Sequence, residues 1–411
     1  VAVEPLTRSY ADAALKEFYL PGIRSILNSE VFLLSQVESN SEDIEGRRAV
    51  LSINTGRNSG VGARDEDSTL PEAGHQSYSE ERVPLKYNYG RIQLTGPVIR
   101  SMGSDRGSFT RAITSETQGV TRDLRNDVNR QLFGDGTGGI APLTTAASSA
   151  TFTLLSPTAT QTRQIQIGMK VDVAVPATAN APASPQNLKI TAFNATTGVG
   201  TFDQAVVQAA GSWLYRTGSG GVVGASQKEI TGLAAQIANT GTLWNVNPAT
   251  APDWVSYVNT SGGTVAEAMF IKAAQEVNIA SGEEIDLWVT SAGVQRAYAN
   301  TLLNLRRFNE PTQLRGGYKG LDMSNINQGN SGSSTTSMYF DKDCPTQTAY
   351  GLTTRRFQWY KMSDWEFMEE DGAVLNRVPN KDAYEGTLFL YSELATDGRN
   401  AHAKLTNLTE I

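Results

Sequence analysis

The sequence predicts an α+β fold built from several modules, and three features predict it. One long amphipathic helix spans 104–134. Before it lie two strand-like runs separated by a long polar stretch. After it come a β-rich segment poor in charge, a mixed α/β segment and a final block of strands.

The helix, SDRGSFTRAITSETQGVTRDLRNDVNRQLFG, places Phe109, Ile113, Val120, Leu124, Val128 and Leu132 three or four positions apart once Thr117 joins the stripe. Arg111, Glu116, Arg122, Asp123, Arg125, Asp127 and Arg130 fall on the other faces. Ser104 or Asp105 can cap its start, and Gly134 supplies a left-handed stop. At 1.5 Å per residue it is roughly 40 Å long, so its stripe needs cover from elsewhere in the chain.

Taken in order, Ala11–Tyr19 and Arg24–Leu34 read as short helices around Pro21-Gly22, with no core of their own. Ala49–Asn54 and Val83–Leu94 read as strands. The connection between them is rich in Gly, Ser, Asp and Glu, and such length inside a domain marks a functional or mobile segment. Two strands are marginal alone, so a hairpin with a polar tip needs a neighbour to lie on. Gly134–Gly139 (GDGTGG) follows a helix and lacks Lys-Ser/Thr, so it reads as a flexible hinge and not a phosphate loop.

Short strands are expected at Thr151–Leu155, Lys170–Val175, Leu188–Phe193, Gly200–Phe202 and Ser212–Arg216, as a small barrel or sandwich. Helices follow at Ser226–Ala238, Val265–Ile279 and Ala292–Leu303, with a buried strand at Leu287–Thr290 and a loop over Gly316–Ser337. Trp244, Trp254 and Trp288 read as core residues. Trp365–Met368, Tyr384–Leu394 and Ala401–Leu408 read as strands able to cover the helix stripe, with turns at Asp371-Gly372, Pro379–Asp382 and Asp397-Gly398.

The 411 residues suffice for two or three domains, and the net charge of -7 with no long basic run argues against a dedicated nucleic-acid binder. The single cysteine, Cys344, excludes an internal disulfide framework. No apolar run reaches a membrane-spanning length. The opening VAVEPLTRSY lacks signal-peptide blocks, which points to a reducing cytosol.

Neither histidine, His75 or His402, sits beside a nucleophile pattern, and two histidines with one cysteine are too few for a zinc site. Carboxylates cluster at 65–67, 80–81, 283–284 and 369–371, where solvation is the expectation and a divalent cation the minority reading. Arg306-Arg307 and Arg355-Arg356 are candidate partner contacts. No enzyme, cofactor or metal is expected.

The order of arm, polar-tipped hairpin, long helix, α/β segment and late strands resembles the major capsid proteins of tailed double-stranded DNA bacteriophages, the fold first described for phage Hong Kong ninety-seven. The residues carrying the resemblance are GRNSGVGARDEDSTLPEAG (56–74), KYNYGRIQLTGPVI (86–99), NRQLFGDGTG (129–138), AYEGTLFLYSEL (383–394) and RNAHAKLTNL (399–408).

That resemblance implies an N-terminal arm (1–46), an extended β-hairpin loop (47–101), a "spine" helix of a peripheral domain (102–145), an inserted β-rich subdomain (146–217), an axial domain (218–361) and return strands (362–411). It implies pentamers and hexamers closing an icosahedral shell around packaged DNA, without sequence-specific DNA binding or membrane contact. The arm and hairpin would lie on neighbouring subunits, with Arg57, Arg64, Asp65, Glu66, Asp67, Lys86, Arg91, Arg377 and Lys381 as contact candidates. Scaffold, portal and decoration proteins are further partners. The protein would be made in the host bacterial cytoplasm and reside in the virion. Some relatives form a lysine–asparagine isopeptide bond; Lys86 with Asn376 or Asn380 is the candidate here, though Lys86 is not at the hairpin tip. An encapsulin-like nanocompartment is the alternative with the same fold. A decoration or adhesin-type β-protein leaves the long helix unexplained.

Overall fold

The long helix runs from Arg106 to Phe133. The computed structural model describes residues 31–97, 106–144, 148–304, 311–313, 319–322, 336–369 and 374–411. The expected helix at 11–19, the start of that at 24–34, the cap at 104–105, Arg306-Arg307, most of the loop at 316–337 and the Asp371-Gly372 turn lie outside the described residues, as do the side chains of Phe109, Arg111 and Ile113. Of the second short helix, Phe32–Gln36 is described. It does not lie apart as an arm: Val31, Phe32 and Leu33 are buried in the same core as the long helix.

Leu124, Val128, Leu132 and Phe133 are buried, and Thr117 and Thr121 extend the stripe. The Thr121 hydroxyl donates to the Thr117 carbonyl at 2.7 Å, so a polar group sits in the stripe without an orphaned hydrogen. Covering this stripe are the antiparallel strands Lys86–Thr95 and Ala383–Thr396, paired from Ala383↔Thr95 to Ser392↔Lys86. Ile92, Leu94, Leu388, Leu390 and Leu394 point down onto the helix, as the two-residue period requires. At Gly90 the strand crosses the helix so closely that a Cβ would lie 2.8 Å from Leu124 Cδ1. Glu38–Asn40, Phe357–Lys361, Glu366–Phe367 and Asn376–Arg377 complete this six-stranded sheet.

The run expected over Val83–Leu94 divides at Leu85. Its first part belongs to a hairpin in which Arg48–Gly56 pairs with Ser77–Pro84, and its second enters the six-stranded sheet. Pro84 has no N–H to continue the hairpin ladder, which is a physical reason for the break.

Strands Gly139–Pro142, Ser148–Thr153, Lys170–Ala174, Leu188–Asn194, Val199–Val207 and Trp213–Arg216 form a second sheet. A bridge between Leu143 and Leu154 joins its two outer strands, closing a barrel around Phe152, Val173, Ile190, Phe202 and Leu214. The third sheet has seven strands, with Leu287–Thr290 at its centre and Ser337–Phe340 and Ala349–Leu352 on either side. Helices Glu267–Ser281 and Ala292–Asn304 pack on it through Phe270, Val277 and Tyr298 around Trp288.

Three expectations change. Ser226–Ala238 is not one helix; only Leu233–Gln236 is helical. The Ile230 and Thr231 amides instead donate to Gln131 Oε1 at 3.1 Å and Glu393 Oε1 at 2.7 Å, so tertiary bonds outcompete the local ladder. The Gly134–Gly139 turn is no flexible hinge: Gly136 and Gly138 take φ of 82° and 79°, and the amides of Gly221 and Glu229 bond to the carbonyls of Thr137 and Gly136. Finally, Ala401–Leu408 does not cover the long helix. Ala403–Leu405 enters the seven-stranded sheet between Tyr257–Asn259 and Ala349–Leu352, because the short helical turn Arg399–Ala401 redirects the chain.

Leu132 is fully buried at the C-terminal end of the helix stripe. Leu132→Ala is expected to cost about 2–5 kcal/mol, read as a lower urea midpoint by tryptophan fluorescence. An unchanged midpoint would show that burial of the stripe does not hold this layer together.

Candidate functional site

The hairpin projects two paired strands and then a tip, 57–76, in which no residue is buried. Val61 and Leu70 are 84% and 80% exposed, and Tyr78 at the tip's base is 66% exposed. Among the described residues, Arg57, Arg64, Asp65, Glu66 and Asp67 form no ion pair. Arg64 bonds only to nearby carbonyls, those of Ala63 and Thr69. These five predicted residues therefore lie together on one exposed tip.

The other four candidates scatter. Arg91 pairs with Glu385 across the outer face of the six-stranded sheet. Arg377 and Lys381 are exposed at the edge of the sheet, where the Asn376–Arg377 strand pairs with Tyr384 and Glu385. Lys86 is turned inward, with 7% of its surface exposed, and donates to the Gln227 carbonyl at 2.8 Å. Burial lowers its pKa, against the pull of Glu393. Asn376 pairs with Glu385 while Lys86 pairs with Ser392, seven positions further along the same strand. That is about 23 Å at strand rise, too far for an isopeptide bond within the chain.

The outer face of the sheet also carries aromatic groups. Tyr87 and Tyr89 are half exposed and lie edge-on to Tyr391, at 5.0 and 6.1 Å between ring centroids, and Phe389 adjoins at 4.9 Å. Met362 and Met368 border this patch at 50% and 40% exposure.

Beneath these surfaces, buried charges hold the modules together. Arg130 bonds Asp127 at 3.0 Å and Glu229 at 2.6 Å, and Arg216 of the barrel reaches Asp127 at 3.1 Å. Burial pushes the Asp127 carboxyl up, but Arg130 and Arg216 more than reverse it and hold it below the usual range. Asp127 and Arg130 are thus inward-facing, not solvated as their helical positions suggested. Arg163 ties the barrel to Asp343 at 3.0 Å. Glu283 receives both Arg355 and Arg356, so this basic pair serves the chain's own interior contact.

Glu81 was expected to be solvated beside Glu80 but is fully buried, and Glu393 and Arg399 were not singled out from sequence. Glu393 is fully buried, accepts from the Thr231 amide and hydroxyl, and is pushed up to about 8 by burial. Arg399 is buried and donates to the carbonyls of Ala235, Gln236, Thr240 and Gly241. Charged residues inside the apolar runs TLFLYSELAT and RNAHAKL were the available signal.

His402 is fully buried, stacked on Phe357 at 4.3 Å between centroids. The Thr353 amide donates to its Nδ1, so the ring proton sits on Nε2 facing Thr396 Oγ1 at 2.8 Å. Burial, with Arg356 nearby, lowers its pKa to about 3. Among the described residues, no cluster of three or more His, Cys, Asp or Glu could hold a metal, and no helix is long and apolar enough to cross a membrane.

The folded His402 binds its proton less tightly than the unfolded one, so its contribution is present above pH 6.5 and lost as pH falls towards 3. The stability advantage of wild type over His402→Gln is expected to shrink by about 3 kcal/mol between pH 7 and pH 4, measured by urea denaturation at each pH. A pH-independent difference would mean that the imidazole does not titrate in this range.

No protein-family model matches the sequence, and no curated protein is significantly similar to it. Its structure is similar to that of a protein in the cyanophage A-1(L) capsid asymmetric unit, with a TM-score of 0.54 at 12% identity over 92% of this chain and 93% of that one. The capsid of Myoviridae phage XM1 follows at 0.45 and 10%, covering 92% of both chains. An encapsulin complex from Synechococcus elongatus stands at 0.45 and 9%, covering 92% and 87%. On the first of these likenesses, which spans nearly the whole of both chains, this chain has the phage major-capsid fold.

Proposed function

We propose that this chain is the major capsid protein of a tailed phage, assembling as pentamers and hexamers into the icosahedral shell around the packaged double-stranded DNA. The observation that carries the reading, beyond the fold, is the hairpin tip. It holds exposed Val61 and Leu70 among two arginines and four carboxylates, with no core of its own. A segment of that composition gains little within its own chain and much from a neighbour. The surface best suited to receive it is the aromatic face of Tyr87, Tyr89 and Tyr391, beside which Arg91 stands on the same strand face to meet an acidic tip.

Each exposed ion pair contributes about 0–1 kcal/mol, but closed symmetry repeats every contact around the shell. The division into arm, hairpin, spine, inserted barrel, axial layer and return strands belongs to this proposal. Scaffold, portal and decoration proteins are the partners such a shell requires, the virion is its location, and its role is structural with no catalytic step.

Electron microscopy of the purified chain, alone and with a crowding agent, tests this. Closed shells or five- and six-membered rings are expected, and replacing 58–74 by a short Gly-Ser linker should abolish them while leaving the circular dichroism spectrum unchanged. Shells that form equally well without the tip would remove the basis for the reading. Shells holding co-purified enzymes and no DNA in the producing cell would favour the nanocompartment instead.

A further inference from the structure

The hairpin's root differs from its tip. Glu81, opposite Leu51 in the hairpin ladder, is fully buried, and neither carboxylate oxygen has a hydrogen-bond partner. Around it lie Ala49, Val83, Leu85, Tyr360 and Ala395, with Leu51 and Trp244 packed against them. The charged and titratable groups that face it are Asp397 and Arg399, from the turn after the long strand, and Tyr360, which also feels Asp43. On its own strand Glu80 and Arg82 point outward and pair with each other at 3.0 Å.

Arg399 could be taken as the partner of Glu81, but its guanidinium is committed to four backbone carbonyls. Asp397 adds a like charge, and its own Oδ1 is buried without a partner. An ionised Glu81 here would be a buried anion with no donor, which is far costlier than a neutral carboxyl.

The second observation concerns what the root is seated on. Residues Leu243–Val246 form a two-residue turn in which Leu243 and Val246 exchange backbone bonds. Trp244 and Asn245 take φ of 42° and 79°, and for a residue as bulky as tryptophan that backbone is strained. The Arg82 amide donates to the Trp244 carbonyl at 3.1 Å, so the hairpin holds this strained turn directly. Seating the hairpin therefore demands both a stranded carboxyl and a strained tryptophan.

We propose that the hairpin root is a proton-controlled clasp: with Glu81 uncharged, the hairpin stays seated on the Leu243–Val246 turn and strand Phe357–Lys361, and with Glu81 ionised, it unseats. The direction follows from linkage. Burial first, and Asp397 second, push the Glu81 carboxyl from 4.5 up to about 9 in the seated form. Seating thus takes up a proton from solvent, and its stability is full below pH 4.5 and lost as pH rises towards 9. The clasp lies within a single chain and does not depend on the shell reading.

The test is amide hydrogen exchange by mass spectrometry on the full chain, kept unassembled as checked by light scattering. Peptides covering 77–84 and 243–246 are followed from pH 5 to pH 9, with rates corrected for chemical exchange. In wild type the opening constant should rise about tenfold per pH unit over this range. In Glu81→Gln it should be flat, and in Asp397→Asn the rise should level off at a lower pH. An equal slope in Glu81→Gln, or no slope in wild type, overturns the proposal. Should Glu81→Gln fail to fold, the infrared carbonyl band of a protonated carboxyl in Glu393→Gln, which removes the other glutamate carboxyl raised to about 8, gives a separate reading. Its presence at pH 7 and loss by pH 10 are expected, and its absence at pH 7 refutes the clasp.

Discussion

A helix of 28 residues presents a stripe that is buried from Thr117 to Phe133, and the rest of the chain is arranged around that demand. Its cover comes from Lys86–Thr95 and Ala383–Thr396, strands that pair with each other yet lie at opposite ends of the sequence. The barrel and the seven-stranded layer are threaded between them. The peripheral layer can therefore close only after the long strand has returned, and contacts of such sequence separation make folding slow. Gly90 and Gly232 mark how closely the layers meet: a Cβ at Gly232 would lie 2.4 Å from two carbonyl oxygens of the helix's last turn.

Apolar burial holds each module, but it does not by itself fix how one module sits on another. Charged groups do that here. Asp127 and Arg130 on the last turns of the helix reach the barrel through Arg216 and the 229–231 segment through Glu229. Arg163 joins the barrel's other side to Asp343, and Glu283 gathers Arg355 and Arg356 between helix Glu267–Ser281 and strand Phe357–Lys361. Buried pairs of this kind add little net stability over apolar replacements, because desolvation offsets their attraction. Their directionality is the physical property that apolar contacts lack, and each sits at a junction between modules.

Elements with a strong period were legible in the sequence: the long helix, the helices near 267–281 and 292–304, and five of the six barrel strands appear where expected, while Gly139–Pro142 was not read as a strand. The failures share a cause. Ser226–Ala238 has helical composition, but two of its amides are claimed by Gln131 and Glu393, which no local window contains. The Gly134–Gly139 turn looked mobile because glycines in sequence show only freedom, not the bonds from Gly221 and Glu229 that remove it. The hairpin tip was legible because its polar composition is itself the signal. Lys86, Glu81 and Arg399 were not, since the spacing of a charged residue says nothing about whether a distant strand will cover it.

The tip and the root of the hairpin then make opposite demands on one element. The tip exposes apolar and charged groups that nothing among the described residues covers, so on the proposed reading its free energy falls when a second copy arrives. The root buries a carboxyl and leans on a strained turn, so once that carboxyl ionises its free energy falls when it lets go. An element favoured to move at one end and to dock at the other is poorly held by its own chain and well held by an assembly. That asymmetry fits the shell subunit proposed above, because the docked geometry becomes the stable one only in company.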